Sequence, residues 1–502
     1  MTASVSAPVS SLRADTAEHR RRDITFLPLH VVLVALVVLL SLGAIGVSIY
    51  EPPESHRLIA IATGATAAGL IAYARYFLRL PWLSAPVVYL VLFWTFHFGM
   101  TFTAVLFPSV LAKISDQDLS WFFYPSTRLA MLVSLVGAAS FVLAIGFFTR
   151  RGRALQPLTP ISSDNEPALY IMGWLLQLAG TALVVVVLAQ NGGLAVFSMD
   201  VLEFRATVMT ETLLPTAIDV ATFGCLLVVC GASLRQWPWA LVVWGIGIAT
   251  PMMLVGQRSS ALVPLATYAA VLAHRGVRLR LGVITAVVLG VLFAIPAVRI
   301  YRDVGFANRD LVDWTDVTPL DTFMELGGSL QATRAYIDWI EAGDPLLWGA
   351  SYWAPFDRQI LGRLIPWREP IPYEQDERVP LRLMVEREAA LGGSATGEAY
   401  YNFGPFGPVI YFAGLGVLFG LLQRFDGSAY GSAMLGASIL PLYFNIRSDW
   451  LSMPAQIGQG LVVIAICYFV GRIVFTQPLS GSRQSVRLDL PAAGRSAVHD
   501  GR

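Results

Sequence analysis

Apolar runs of about twenty residues recur along most of this chain, and a helix of that length crosses the hydrocarbon core of a bilayer. Backbone polar groups find no partner in lipid, so segments of this kind cross as helices with their hydrogen bonds closed internally. The runs fall at 28–50, 57–78, 85–108, 128–149, 167–190, 213–234, 237–255, 259–274, 281–299, 405–423, 429–446 and 455–476. The expectation is an all-α polytopic membrane protein with about twelve transmembrane helices. The balance of residues agrees, with 55% hydrophobic, 14% charged and a mean hydropathy of +0.61.

Arginine placement sets the expected orientation. Arg20–Arg22, Arg75, Arg79, Arg150, Arg151, Arg153, Arg235, Arg275, Arg278, Arg280 and Arg424 fall on alternate loops. The intervening loops hold only scattered single cations. Excess positive charge marks the cytoplasmic side, so both termini are expected in the cytoplasm. Residues 1–27 and 477–502 read as disordered cytoplasmic ends, and no cleavable signal is evident. A net charge of +1 and the lack of a basic tract with interleaved aromatics give no support to nucleic-acid binding. Cys225 and Cys230 share one span and point in different directions, with Cys467 in another. They form neither a disulfide framework nor a metal set. Walker A, dinucleotide and HExxH motifs are absent.

Charges that break the membrane pattern are the candidates for chemistry. Asp219 sits about two turns inside a span, where a carboxylate needs a partner or a wet cavity. His97, in WTFHFGM, reads foremost as an interhelical hydrogen-bonding group. Arg258, in GQRSS, and Arg447, in NIRSDW, are isolated arginines on short outer loops. A guanidinium presents a planar fork of donors matched to phosphate oxygens, although snorkelling from a helix end is the plainer role. Arg302 and Asp303 open the largest extramembrane region, 300–404. Its amphipathic stretch repeats Phe323, Leu326, Leu330 and Ile337 at helical spacing and carries Glu325. This region reads as a folded outer cap of short helices. At its end a polar, glycine-rich loop, GGSATGEAYYNFG, enters the apolar run at 405 with one carboxylate, Glu398, beside Tyr400 and Asn402.

Four stretches in order carry a resemblance. They are GQRSSALVPLATYAAVLAHRG at 256–276, FMELGGSLQATRAYIDWIEAGDPLLWGASYW at 323–353, the 392–422 segment, and RSDW at 447–450. Together they resemble the bacterial O-antigen and exopolysaccharide repeat-unit polymerases (Wzy-type). Ser394, Gly397, Glu398, Tyr400, Asn402, Phe403 and Gly404 match the family's Ser-x-x-Gly-Glu-x-Tyr-x-Asn-Phe-Gly pattern. The resemblance covers 250–450 well and the first 230 residues in topology alone.

It implies a C-type glycosyltransferase-like architecture in the bacterial cytoplasmic membrane, with its active cavity at the outer face. The implied substrates are oligosaccharide repeat units on undecaprenyl pyrophosphate, within a bed of membrane lipids. A chain-length regulator and a flippase are implied partners. Arg258, Arg302 and Arg447 become candidates for charge on the leaving pyrophosphate, and Glu398, then Glu325 and Asp303, for the attacking hydroxyl. Tyr400, Asn402 and Asp219 are further substrate-binding candidates. Trp348, Tyr352 and Trp353 become candidates for stacking on sugars. The scheme requires no metal and no cofactor. A flippase or transporter of lipid-linked glycan, or a glycan ligase, stands as the alternative. No internal repeat supports transport, and the large outer region 300–404 contains no histidine of the kind on which such ligases depend.

Overall fold

A computed structural model describes residues 55–107, 120–150, 166–199, 204–209, 213–233, 236–277, 279–304, 318–361, 371–388 and 391–475. The first expected span, 28–50, lies outside the described residues, as do both termini. Among the described residues the chain is helical throughout, and nine helices are long and apolar enough to cross a membrane.

The bundle helices are α1 (Ser55–Tyr76), α2 (Ala85–Leu106), α3 (Pro125–Arg150), α4 (Pro167–Gln190) and α5 (Leu213–Gly231). They continue with α6 (Trp237–Leu254), α7 (Ser259–His274) and α8 (Leu281–Val304). A π turn at Gly245–Ala249 interrupts α6 just before Pro251. Proline lacks an N–H and crowds the preceding turn, so the ladder loosens there. Next come the shorter helices α9 (Pro319–Leu326), α10 (Ser329–Glu341), α11 (Ala350–Pro355), α12 (Pro380–Glu388) and α13 (Ala395–Phe403). The chain re-enters the bundle with α14 (Gly407–Leu422), α15 (Ala429–Phe444) and α16 (Met453–Phe475).

Lipid is as apolar as leucine, so bundle helices associate through close packing of small residues. The antiparallel pair α4–α5 shows this. A Cβ on Gly224 would lie 2.3 Å from the backbone N of Gln177, and one on Gly180 would lie 2.5 Å from that of Ala221. α3 and α14 run parallel, and a Cβ on Gly416 would lie 2.6 Å from the carbonyl of Phe141.

α9–α13 cap one end of this bundle. α9 starts with a capping box in which Asp321 accepts from the backbone N–H and hydroxyl of Thr318 at 2.8 and 2.9 Å. It lies against α2 through two glycines. A Cβ on Gly99 would stand 3.3 Å from the Phe323 carbonyl, and one on Gly327 would stand 2.5 Å from the Met100 N. Further out, the Arg378 guanidinium grips Asp376 through Nε and Nη2 at 2.8 and 2.9 Å and reaches Asp357 at 2.9 Å. Burial alone would raise the Asp376 carboxyl, but the Arg378 and Arg358 guanidinium groups hold it below the usual range.

One local expectation is corrected. The glycine-rich stretch 392–404 is not a loop running straight into its span. Residues 395–403 form a helix, capped by Ser394, whose hydroxyl accepts from the Gly397 N–H at 3.3 Å. Tertiary fit overrides the low helix propensity of glycine, since a Cβ at Gly397 would strike the Tyr336 ring at 2.1 Å. Gly404, at φ +60°, ends the helix, and the chain turns through Gly404–Phe406 before α14 begins.

Candidate active site

α13 is buried along nearly its whole length between α10, α3 and α14, and it delivers the chemistry-bearing residues of the focal stretch to one place. Glu398 is 1% exposed. Its Oε1 accepts from the Ser351 hydroxyl of α11 at 2.5 Å. Its Oε2 accepts from the backbone N–H of Trp450, in the corner between α15 and α16, at 2.7 Å. Asn402, one turn along α13, donates through Nδ2 to Ser351 Oγ at 2.7 Å and to the Glu398 carbonyl at 2.8 Å. Its Oδ1 accepts from the Gly349 N–H at 2.9 Å. One carboxylate therefore ties together three segments distant in sequence.

A second junction is the turn of α2 from Phe96 to Met100. His97 Nε2 lies 3.3 Å from Ser394 Oγ and 3.2 Å from Thr396 Oγ1, and Ser394 Oγ is 2.7 Å from Thr333 Oγ1 on α10. This is the interhelical hydrogen bonding expected of His97. The Arg447 guanidinium stands 5.1 Å above the Phe96 ring. One turn along, Phe323 and Gly327 of the cap pack on Gly99 and Met100, and Glu325 between them forms an ion pair with Arg258. Arg447, the cap segment that carries the Arg258–Glu325 pair, and the start of α13 through Ser394 and Thr396 thus meet one helix turn at the capped end of the bundle.

The electrostatics favour neutral rings and strained acids. Asp449, beside Trp450, is 3% exposed, and burial pushes its carboxyl above the usual carboxylate range. Burial, with the charges of Asp449 and Glu398, holds the Tyr336 hydroxyl protonated. Tyr352 stacks on Tyr411 at 5.5 Å and meets Trp450 edge-on at 5.8 Å. Its hydroxyl, shielded by burial and faced by Glu398, is likewise held protonated.

The remaining sequence candidates are distributed unevenly. Tyr400 is buried in the core under the cap. Asp219 is exposed on α5, and among the described residues no hydrogen bond or ion pair joins it to this cluster. The side chains of Arg302 and Asp303 lie outside the described residues; their backbone forms the last turn of α8. Trp348 and Trp353 are exposed, whereas Tyr352 faces inward. Trp348 holds φ +49°, a left-handed conformation that costs a bulky residue about 1–3 kcal/mol. Its N–H donates to the Asn402 carbonyl at 2.9 Å, so the strain is held by the same residue that positions Ser351. Ser351, Asp449 and Trp450 are the members that residue-by-residue reasoning passes over. Their signal lay in the WGASYW and RSDW stretches. Among the described residues no group of three His, Cys, Asp or Glu is arranged to hold a metal ion.

Comparison with known proteins places these features in context. The family model of the O-antigen polysaccharide polymerase Wzy matches residues 31–477. Protein CapE of Staphylococcus aureus is 22% identical over 385 residues, which cover 74% of this chain and 81% of that protein. No solved structure matches.

Proposed function

The chain belongs to the O-antigen polysaccharide polymerase Wzy family, and from that membership we propose that it extends a surface polysaccharide at the outer face of the cytoplasmic membrane. The family joins lipid-linked oligosaccharide repeat units into polysaccharide within the membrane. In our reading the carrier is undecaprenyl pyrophosphate, and the growing chain passes onto a sugar hydroxyl of the incoming unit. The attacking oxygen forms its bond to the anomeric carbon. The bond from that carbon to the phosphate oxygen breaks, and undecaprenyl pyrophosphate leaves with the electron pair. A pyrophosphate that gains a further negative charge as it leaves needs fixed cations aimed at its developing charge. Arg447, over the Phe96 ring, and Arg258, paired with Glu325, are the guanidinium groups proposed for this role.

The observation that carries this reading is the buried Glu398, held by Ser351 and by the Trp450 N–H three residues after Arg447. A carboxylate this enclosed is costly unless its hydrogen bonds do something for the fold or the reaction. The test is the length distribution of surface glycan in a deletion strain complemented with wild type, Glu398→Gln or Arg447→Ala. The expected result is single repeat units in the deletion strain, long chains with wild type, and short or no chains with either variant at normal protein level. Long chains in the deletion strain itself would sink the polymerase reading.

A further inference from the structure

Glu398 is the most enclosed acid of the site, and both of its oxygens already accept a hydrogen bond from the protein. Asp449 differs. Its carboxylate is buried beside the backbone of Leu381 and Leu451, and its Oδ2 has no hydrogen-bond partner among the described residues. A buried carboxylate oxygen without a donor is rare in native proteins and calls for a physical explanation. Its surroundings narrow that explanation. The Trp450 indole N–H and the Tyr336 and Tyr352 hydroxyls are also buried without partners among the described residues. One acceptor, one donor and two groups able to do either are therefore unpaired around the same carboxylates. Aromatic faces of Tyr352, Tyr411 and Trp450 stand beside them.

That set is complementary to a sugar ring, whose hydroxyls each donate and accept and whose C–H face packs on aromatics. It suits neither a hydrocarbon tail, which would leave the polar atoms unpaired, nor a phosphate, which would meet two carboxylates. We propose that the 449–450 corner binds the acceptor sugar and that Asp449 Oδ2 takes the proton of its attacking hydroxyl. Glu398 then acts as a positioning residue, fixing the corner through the Trp450 N–H. This rests on the polymerase reading above. In the step, the acceptor O–H bond breaks and its proton passes to Asp449. The oxygen forms the new bond to the anomeric carbon, and the pyrophosphate departs with the electrons of the old one. Asp449 lies two residues from Arg447, so one corner carries both the base and a cation for the leaving group.

The experiment uses membranes of the deletion strain, which retain their own lipid-linked repeat units, mixed with purified full-length protein. Two quantities are read, the capture of repeat units by the protein and the rate of chain growth. Asp449→Asn is expected to slow growth about 100-fold or more, the usual cost of losing a general base, with capture changed by no more than about twofold. Asp449→Ala leaves room for a small acid, so added formate is expected to restore part of its growth, a rescue that a merely structural role would not permit. Growth in Asp449→Asn within about threefold of wild type overturns the proposal, as does a loss of growth matched by an equal loss of capture. So does an Asp449→Ala protein that captures repeat units but gains nothing from formate. If wild-type protein itself fails to lengthen chains, the polymerase reading has failed, and the result is distinguishable from failure of the Asp449 assignment.

Discussion

Arg258 and Glu325 meet only in space, 67 positions apart in the chain, with side chains 12% and 17% exposed. The pairing gives Arg258 a structural task besides any phosphate it binds, and the two can be separated. Arg258→Ala strands a largely buried carboxylate, which costs about 3–5 kcal/mol. It is therefore expected to lower yield and thermal stability whatever its role in the reaction. Arg258→Ala combined with Glu325→Gln removes the stranded charge and is expected to recover most of that stability. If Arg258 stabilises the departing pyrophosphate, the double variant will be folded and still fail to build chains. Thermal melting of the purified proteins, set beside glycan length in complemented cells, decides the matter. Recovery of both stability and chain length would reduce Arg258 to a fold residue.

At the scale of elements, the outer part of the cap around α12 is held by charge as well as by apolar burial. The Asp376 carboxyl is depressed by Arg378 and Arg358, so the folded state binds its proton less readily than the unfolded state does. The stabilisation is complete above the ordinary carboxylate value of about 3.9 and is lost as pH falls through the depressed one. The Asp376 contribution to cap stability is thus expected to stay level from neutral pH to about 5 and to decline only in stronger acid. A fluorophore on Glu377→Cys, at an exposed position beside Asp376, would report cap opening by urea at each pH. In Asp376→Asn the cap should open at lower urea at neutral pH, and most of its acid sensitivity should be gone. These elements also show how far the sequence could be read. Long apolar helices declare themselves through length and composition, which is why the spans between 57 and 476 coincide with helices to within a few residues. α13 did not, because Gly397 and its polar neighbours look like a loop until Tyr336 is seen to leave no room for a Cβ at Gly397. Glu398 and Arg447 stood out as charges in unlikely places. Ser351 and the Trp450 N–H could not, since a hydroxyl and a backbone amide become informative only once the fold brings them 47 and 52 positions along the chain to one carboxylate.

For the whole molecule, the arrangement has two unlike ends. One carries the cap, Glu398, Arg447 and the Arg258–Glu325 pair. At the other, His274 Nε2 lies 3.0 Å from the Asp426 carbonyl, and Arg275 donates to the Val229 and Ala232 carbonyls at 2.6 and 3.2 Å. Arg275 and Arg424 belong to the loops whose positive charge predicts a cytoplasmic location, and on that expectation the capped end is the outer one that our proposal requires. The reaction depends on that assignment, because a polymer destined for the surface is best extended where it need not cross the bilayer again. A membrane-impermeant thiol reagent tests it in a background from which the three free, buried thiols Cys225, Cys230 and Cys467 have been removed. Glu377→Cys, exposed on the cap, is expected to react in intact spheroplasts, whereas Asp426→Cys, exposed at the opposite end, should react only after the membrane is opened. The reverse pattern would turn the site toward the cytoplasm and remove the physical basis for extending chains outside. Labelling of both positions in intact spheroplasts would break the link between arginine placement and topology from which the orientation is drawn.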